Sequence, residues 1–151
     1  MLFTPFAAVL VLAMGWSALW FYAVGRAEAD LAAWRETERQ AGRIQHCASQ
    51  SIGGYPFRIE VRCDGAGLQL DGAPTLQLKL PTAVVAIQVY DPKLLIGEFT
   101  GPLEISEAGR PPAAIVNWNV GQASVRGLPL RVDRASLALA GPTVRAPGLA
   151  G

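Results

Sequence analysis

Three patterns of apolar and polar positions succeed one another along the chain. From Leu2 to Val24 (LFTPFAAVLVLAMGWSALWFYAV) apolar residues run almost unbroken and none is charged. At 1.5 Å rise per residue, about 20 such residues cross a bilayer core of about 30 Å, so residues 1–24 are expected to form a transmembrane anchor. From Gly25 to Gly42 (GRAEADLAAWRETERQAG) the composition turns to Ala, Glu, Arg and Gln, good helix formers, with no proline. This predicts a short helical stalk over 25–42, with a narrow apolar stripe of Ala27, Leu31, Trp34 and Ala41 and with Gly42 as C-terminal stop. The stripe suits docking on the domain that follows; a solvated stalk continuing the membrane helix fits equally well.

The third pattern has period two. In Tyr55–Cys63 (YPFRIEVRC), Tyr55, Phe57, Ile59, Val61 and Cys63 share one face while Pro56, Arg58, Glu60 and Arg62 share the other, which predicts a half-buried strand. Gly53-Gly54 supplies a turn before it, with Ile44–Ser51 as the hairpin partner. Beyond Cys63, short alternating segments are bounded by Asp64-Gly65, Asp71–Pro74, Pro81, Asp91-Pro92, Gly101-Pro102, Gly109–Pro112, Gly121, Gly127 and Gly141-Pro142. Leu76, Leu78 and Leu80 alternate with polar residues, as do Val116, Trp118 and Val120; Val85, Ile87 and Val89 alternate with Ala86, Gln88 and Tyr90. Leu128, Leu130 and Val132 face away from Arg131 and Asp133. Eight to ten strands joined by tight turns are expected from residue 43 onward, hence antiparallel pairing. The fold class is mainly β: the N-terminal transmembrane helix and short helix, then an antiparallel β-meander over 43–151 forming a folded sheet, groove or sandwich. That domain is expected to be incomplete at its C-terminus, because the chain ends just after a strand with no closing helix.

Length and charge narrow the function classes. A chain of 151 residues accommodates one domain. All 13 basic and 12 acidic residues lie beyond Gly25, interspersed to a net charge of +1, which argues against a nucleic-acid surface. Recurrent Leu, Val and Ile argue against disorder. Ala27-Glu28-Ala29 offers a signal-peptidase pattern, yet the apolar run exceeds the 7–15 residues of a signal core, and Trp16, Trp20, Phe21 and Tyr22 resemble an interfacial aromatic belt. An uncleaved signal anchor is the favoured expectation. No Lys or Arg precedes the run to orient it.

Cys47 and Cys63 are the only cysteines, and an even count beyond an anchor favours a disulfide in an oxidising compartment. Closing a loop of this length contributes about 3 kcal/mol in the chain-entropy account. A two-residue Gly53-Gly54 turn would set Cys47 opposite Glu60 instead of Cys63. The bridge therefore requires a wider turn or a Cys47 segment that crosses the sheet as a loop. Two cysteines and His46, the sole histidine, are too few for a metal site, and a thiol catalyst would want a base and an orienting group.

The aromatic end of the apolar run at Trp20-Phe21-Tyr22, the helix with Trp34, Cys47, the run Ile52-Gly53-Gly54-Tyr55-Pro56-Phe57-Arg58 and Cys63 together resemble the opening of the bacterial domain-of-unknown-function family 2125. The resemblance covers roughly residues 10–65 and brings no activity with it. Its members are about twice this length, which implies an N-terminal portion or a shortened member. The plan of one anchor and a β-rich envelope domain also resembles, in architecture alone, the AsmA-like proteins implicated in lipid transport between membranes. With these likenesses pointing to a bacterial envelope protein, the length of the apolar run and the cysteine pair lead to the expectation of the inner membrane, a single pass, and a β-domain in the periplasm.

No phosphate-binding loop, dinucleotide fingerprint, zinc-protease motif or nucleophile elbow occurs. Glu36/Glu38 and Glu104/Glu107 are the closest carboxylate groupings, and both are expected to be solvated. Arg58 and Arg62 flank Glu60 and fit a cross-strand ion-pair ladder better than a headgroup site. No enzyme activity, catalytic residue, metal or cofactor is expected. The expected function is binding or transfer of lipid or another amphipathic molecule, with Leu76, Leu78, Val85, Ile87 and Val89 facing the lipid. The alternative is a structural scaffold that adds strands from envelope proteins at an open edge. The alternation itself serves a self-packed core, the commoner arrangement, as well as it serves a lipid groove.

Overall fold

The computed structural model describes residues 3–127 and 132–147. The two helical segments expected from the sequence are one continuous helix, α1, from Phe3 to Gln40. Pro5 falls in the first turn, where a missing N–H is tolerated. Gly25 is the one weak former at the join and costs about 1 kcal/mol, which does not stop a helix continued by strong formers. Gly42 ends it as expected, taking a φ of 76° just past the last turn. The covered side of α1 runs through Ser17, Trp20, Val24, Ala27, Leu31, Arg35 and Glu38 at three- and four-residue steps. Ala27 and Leu31 thus lie on the docked stripe, whereas Trp34 is exposed and Arg35 takes the inward position.

Nine antiparallel strands follow: β1 (Arg43–Gly53), β2 (Arg58–Leu70), β3 (Leu76–Gln88), β4 (Asp91–Thr100), β5 (Leu103–Glu107), β6 (Ala114–Asn117), β7 (Val120–Arg126), β8 (Arg134–Ala140) and β9 (Thr143–Arg145). All belong to a single open sheet. β3 is its trunk. One edge of β3 pairs with β2 from Arg58 opposite Gln88 to Leu70 opposite Leu76. The other edge is divided, with Leu76–Lys79 pairing with β5 and Thr82–Gln88 pairing with β4. The sheet therefore forks into a β4–β7–β8 arm and a β5–β6–β9 arm, while β1 lines the outer edge of β2 and receives α1.

Three turn signals behave otherwise than expected. Tyr55, Pro56 and Phe57 form the β1–β2 turn instead of opening β2, because Gly54 adopts a φ of 96° and the Arg58 N–H closes back on its carbonyl at 3.0 Å. The hairpin is accordingly wider than two residues, with Gly53 facing Glu60. Asp64-Gly65 and Pro81, taken as strand boundaries, lie inside β2 and β3. Val89 sits in the β3–β4 turn, just past the strand. Leu128 and Leu130 lie outside the described residues.

Burial is thin throughout. Trp20, Ile59 and Ser106 are buried at 6%, 9% and 7% exposure, and among the described residues no large side chain is completely enclosed. A self-packed sandwich core is absent from the described residues: one sheet, with one helix along its β1 side, leaves its faces half covered.

Candidate functional site

The disulfide pairing expected from the sequence is present between Cys47 and Cys63, with Cα atoms 5.7 Å apart. The ladder places Cys47 opposite Ala66 and Cys63 opposite Gln50, three positions out of step. On a regular ladder three residues amount to roughly 10 Å along the strand. The ladder is interrupted between them: Ala48 and Gly65 drop out of the β1–β2 pairing, and Gly65 and Pro81 drop out of the β2–β3 pairing. Gly65 has a φ of 67°, the left-handed region that favours glycine. Pro81 supplies no N–H to a pair there. The three strands thus bend together on one line, and the bridge spans the bend.

This line reverses the sense of the alternation. Toward the hairpin, the apolar side carries Ile59, Ile87, Leu95 and Val125 in one cross-strand row and Val61, Val85, Gly97 and Ala123 in the next. Cys63, Ala83 and Phe99 form a third row. On the far side of the bend the apolar row is Leu68, Leu78 and Ile105, joined by Leu103, Val116 and Val144 on the β5–β6–β9 arm. Leu76 and Leu78 differ in parity from Val85 and Ile87, so strict alternation along β3 would set them on opposite faces. The bridge joins the two sets: Cys47 shares its side with its ladder partner Ala66 and hence with Leu68 and Leu78, while Cys63 shares its side with Val61 and Val85. Two sulfurs bond only from a common side, so the two apolar patches meet at the disulfide as one bent face. Of the five residues expected to contact lipid, Leu76 is exposed and Leu78, Val85, Ile87 and Val89 are half-buried.

Glycines keep this face low. A Cβ on Gly97 would stand 3.1 Å from the Phe99 ring, so the missing side chain is what lets Phe99 lie back along its own strand. At Gly121 a Cβ would fall 2.5 Å from Trp118 Nε1, the group that donates to the Phe99 carbonyl at 2.8 Å.

The opposite face is the more polar one, with Glu60, Ala86, Ile96 and Ser124 in one cross-strand row and Arg62, Val84, Glu98 and Gln122 in the next. Glu60 lies between Arg58 at 3.0 Å and Arg62 at 3.8 Å, so the expected ion pairs run along β2 and not across strands. Beyond the bend, a shallow depression of about 330 Å³ is lined by both polar and apolar residues of β1, β2 and β3, His46, Gln69, Gln77 and Lys79 with Ala66, Leu68, Leu78 and Leu80. On α1, Glu36 accepts from Arg39 at 2.7 Å and from Gln40 at 3.0 Å, and these hydrogen bonds, Arg39 first, hold its carboxyl down at about 2. Glu38 pairs with Arg43 and is lowered for the same reason. Glu107 pairs with Arg110, while Glu104 faces Lys79 in the ladder. Among the described residues no group of three or more His, Cys, Asp or Glu side chains is placed to hold a metal.

A feature the sequence reading missed joins α1 to the hairpin turn. Trp16 Nε1 donates to the Pro56 carbonyl at 2.9 Å and Trp20 Nε1 to the Arg58 carbonyl at 3.0 Å. Ser17 and Tyr55 share a hydroxyl–hydroxyl bond of 2.8 Å. The Tyr55 ring meets Trp20 edge-on at 5.2 Å and stacks with Phe21 at 6.3 Å, while Phe57 lies 6.2 Å from Trp16. The aromatic belt and the Gly-Tyr-Pro-Phe run, noted separately in the sequence, are the two halves of one junction. The available signal was their shared aromatic content; period two diverted it by enrolling Tyr55 and Phe57 in the strand.

No curated protein and no solved structure matches the chain, so the looser architectural likeness to AsmA-like proteins gains no support from either. A family model does match, over residues 20–150: an uncharacterized protein conserved in bacteria, DUF2125. That span takes in the Trp20–Arg58 contact, the bridge and every strand. The chain belongs to the DUF2125 family.

Proposed function

We propose that this DUF2125 chain is a single-pass, inner-membrane protein whose periplasmic sheet binds or transfers lipid or another amphipathic molecule, without catalysis, on its bent apolar face. The observation that carries the proposal is the meeting of the two apolar patches on one side of a single-layer sheet, which α1 meets along β1, where Arg35 reaches Gln50 and Glu38 pairs with Arg43. An acyl chain needs an apolar surface not already filled by the protein. Membrane attachment is supported by α1, which is long and apolar enough to span, with a mean hydropathy of 1.9 over its most apolar stretch. The periplasmic side is supported by the bridge, which belongs to an oxidising compartment. Protease added to intact spheroplasts should digest the sheet; protection would place it in the cytoplasm.

Lipid extraction and native mass spectrometry of the purified full chain test the ligand. Ile87→Asp should stay folded, with its bridge intact, and lose co-purified lipid, while Gln122→Asp on the polar face should keep it. An unfolded Ile87→Asp variant would mean a closed core and would overturn the lipid reading, as would equal lipid content in both variants.

A second reading is favoured by β8. It is exposed along its whole length, and among the described residues its outer edge carries no strand. An open edge of this kind accepts strands from partners. A photo-crosslinker at Ala138 that captures protein, in a wild-type chain free of lipid, would select the scaffold.

A further inference from the structure

We infer that the β1–β2 turn, Tyr55-Pro56-Phe57, is a second membrane contact: it is immersed in the leaflet that α1 leaves, at the depth of Trp16 and Trp20. The inference rests on α1 being a membrane anchor, but not on lipid being the cargo of the sheet.

Depth comes first. The uncharged run ends at Gly25, and Arg26 is the first charge. Trp16 and Trp20 precede Arg26 by ten and six residues, which at 1.5 Å each puts them roughly 15 and 9 Å back along the helix, on its apolar side. Because Trp16 and Trp20 hold the carbonyls of Pro56 and Arg58, the turn is fixed at that same level. If α1 spans, the turn enters the bilayer with it.

Hydrogen-bond supply comes second. Irregular backbone is tolerated in a leaflet only where its polar groups find partners within the protein. The carbonyl of Gly54 accepts from Arg58 N, that of Pro56 from the Trp16 indole, that of Phe57 from Val89 N, and that of Arg58 from the Trp20 indole. The Tyr55 hydroxyl is taken by Ser17, and Pro56 has no N–H to satisfy. Four of the five carbonyls from Gly54 to Arg58 are thus met within the protein, two of them by indole donors from α1.

The outward surface comes third. Despite these contacts Tyr55 and Phe57 remain 54% and 62% exposed, and Tyr90, in the adjoining β3–β4 turn, 71%. Lys93 and the side chain of Arg58 are exposed at this same end of the sheet, where phosphate headgroups would lie, and the carboxylates there are paired, Glu60 with Arg58 at 3.0 Å and Asp91 with Arg126 at 3.4 Å. Aromatic rings below and basic residues above make the usual signature of an interface.

The test places a benzophenone amino acid at position 57, 90, 6 or 110 of the full chain in phosphatidylethanolamine–phosphatidylglycerol vesicles, followed by irradiation and mass analysis of adducts. Position 6 lies in α1 and reports the anchor; position 110, exposed in the β5–β6 turn, lies at the end of the sheet opposite the hairpin and off the apolar face. Lipid adducts at 6, 57 and 90 with none at 110 are expected. Adducts at 6 but not at 57 or 90 would overturn the inference while sparing the anchor. Absence at all four positions would remove the anchor and the inference with it, and equal labelling at 110 would mean indiscriminate contact and would also overturn the inference. An intact Cys47–Cys63 peptide in each variant confirms that the labelled protein is folded.

Discussion

Cys47 and Cys63 are bonded although neither faces the other in the ladder: Cys47 stands opposite Ala66, Cys63 opposite Gln50, and the bend at Gly65 closes the gap to 5.7 Å. The bridge therefore clamps a bend as well as closing a loop. Replacing both cysteines with serine should lower stability by about 3 kcal/mol in the chain-entropy account. Urea unfolding with and without reductant measures it, and reductant should leave the double variant unchanged.

Gly65→Ala should destabilise the sheet by about 1–3 kcal/mol, because the left-handed backbone resists a side chain and the new Cβ would lie 2.9 Å from the Cβ of Ala48. Gly67→Ala, two residues on, meets nothing closer than 3.6 Å and should cost less. Equal losses in parallel denaturation curves would show that the bend does not depend on Gly65.

Trp20→Phe keeps an aromatic ring beside Tyr55 but removes the donor to the Arg58 carbonyl. A part-buried carbonyl left without its partner costs about 1–3 kcal/mol. Amide exchange should speed up through Tyr55–Arg58 while the Leu103–Glu107 strand is unaffected; uniform acceleration would count against a local junction.

The Glu36 carboxyl, held down at about 2 by Arg39 and Gln40, should titrate by NMR well below its ordinary value of 4.5. Its folded value is depressed, so its contribution to the helix end is present above about pH 4.5 and fades as the pH falls toward 2. In Arg39→Gln the midpoint should move back up toward 4.5. No movement would mean that Arg39 is not the cause.

Local patterns carried much of this fold because they need only neighbours in sequence. The apolar run through Val24, the good formers up to Gln40 and the Gly42 stop determined α1, and the alternation of Ile59, Val61 and Cys63 determined a strand with that face. The same local logic misplaced what depends on distant partners. Asp64-Gly65 and Pro81 read as turns because glycine and proline break regular backbone; in the folded chain they lie inside adjacent strands, where a shared bend accommodates both. Trp34 matched the stripe by spacing, yet the path of β1 decided that Arg35 would turn inward to Gln50.

By itself the sequence determined a long apolar helix, an antiparallel β-domain and a cysteine pair, since hydropathy, periodicity and count are properties of the chain alone. Only the tertiary structure decided that Leu76 and Leu78 join Val85 and Ile87 on one side, because parity within β3 counts against it and the Gly65–Pro81 interruption reverses the alternation. It alone decided, too, that Trp16 and Trp20 serve the hairpin turn. Their indole donors and the Pro56 and Arg58 carbonyls lie about 40 residues apart in the chain, and no local period relates them.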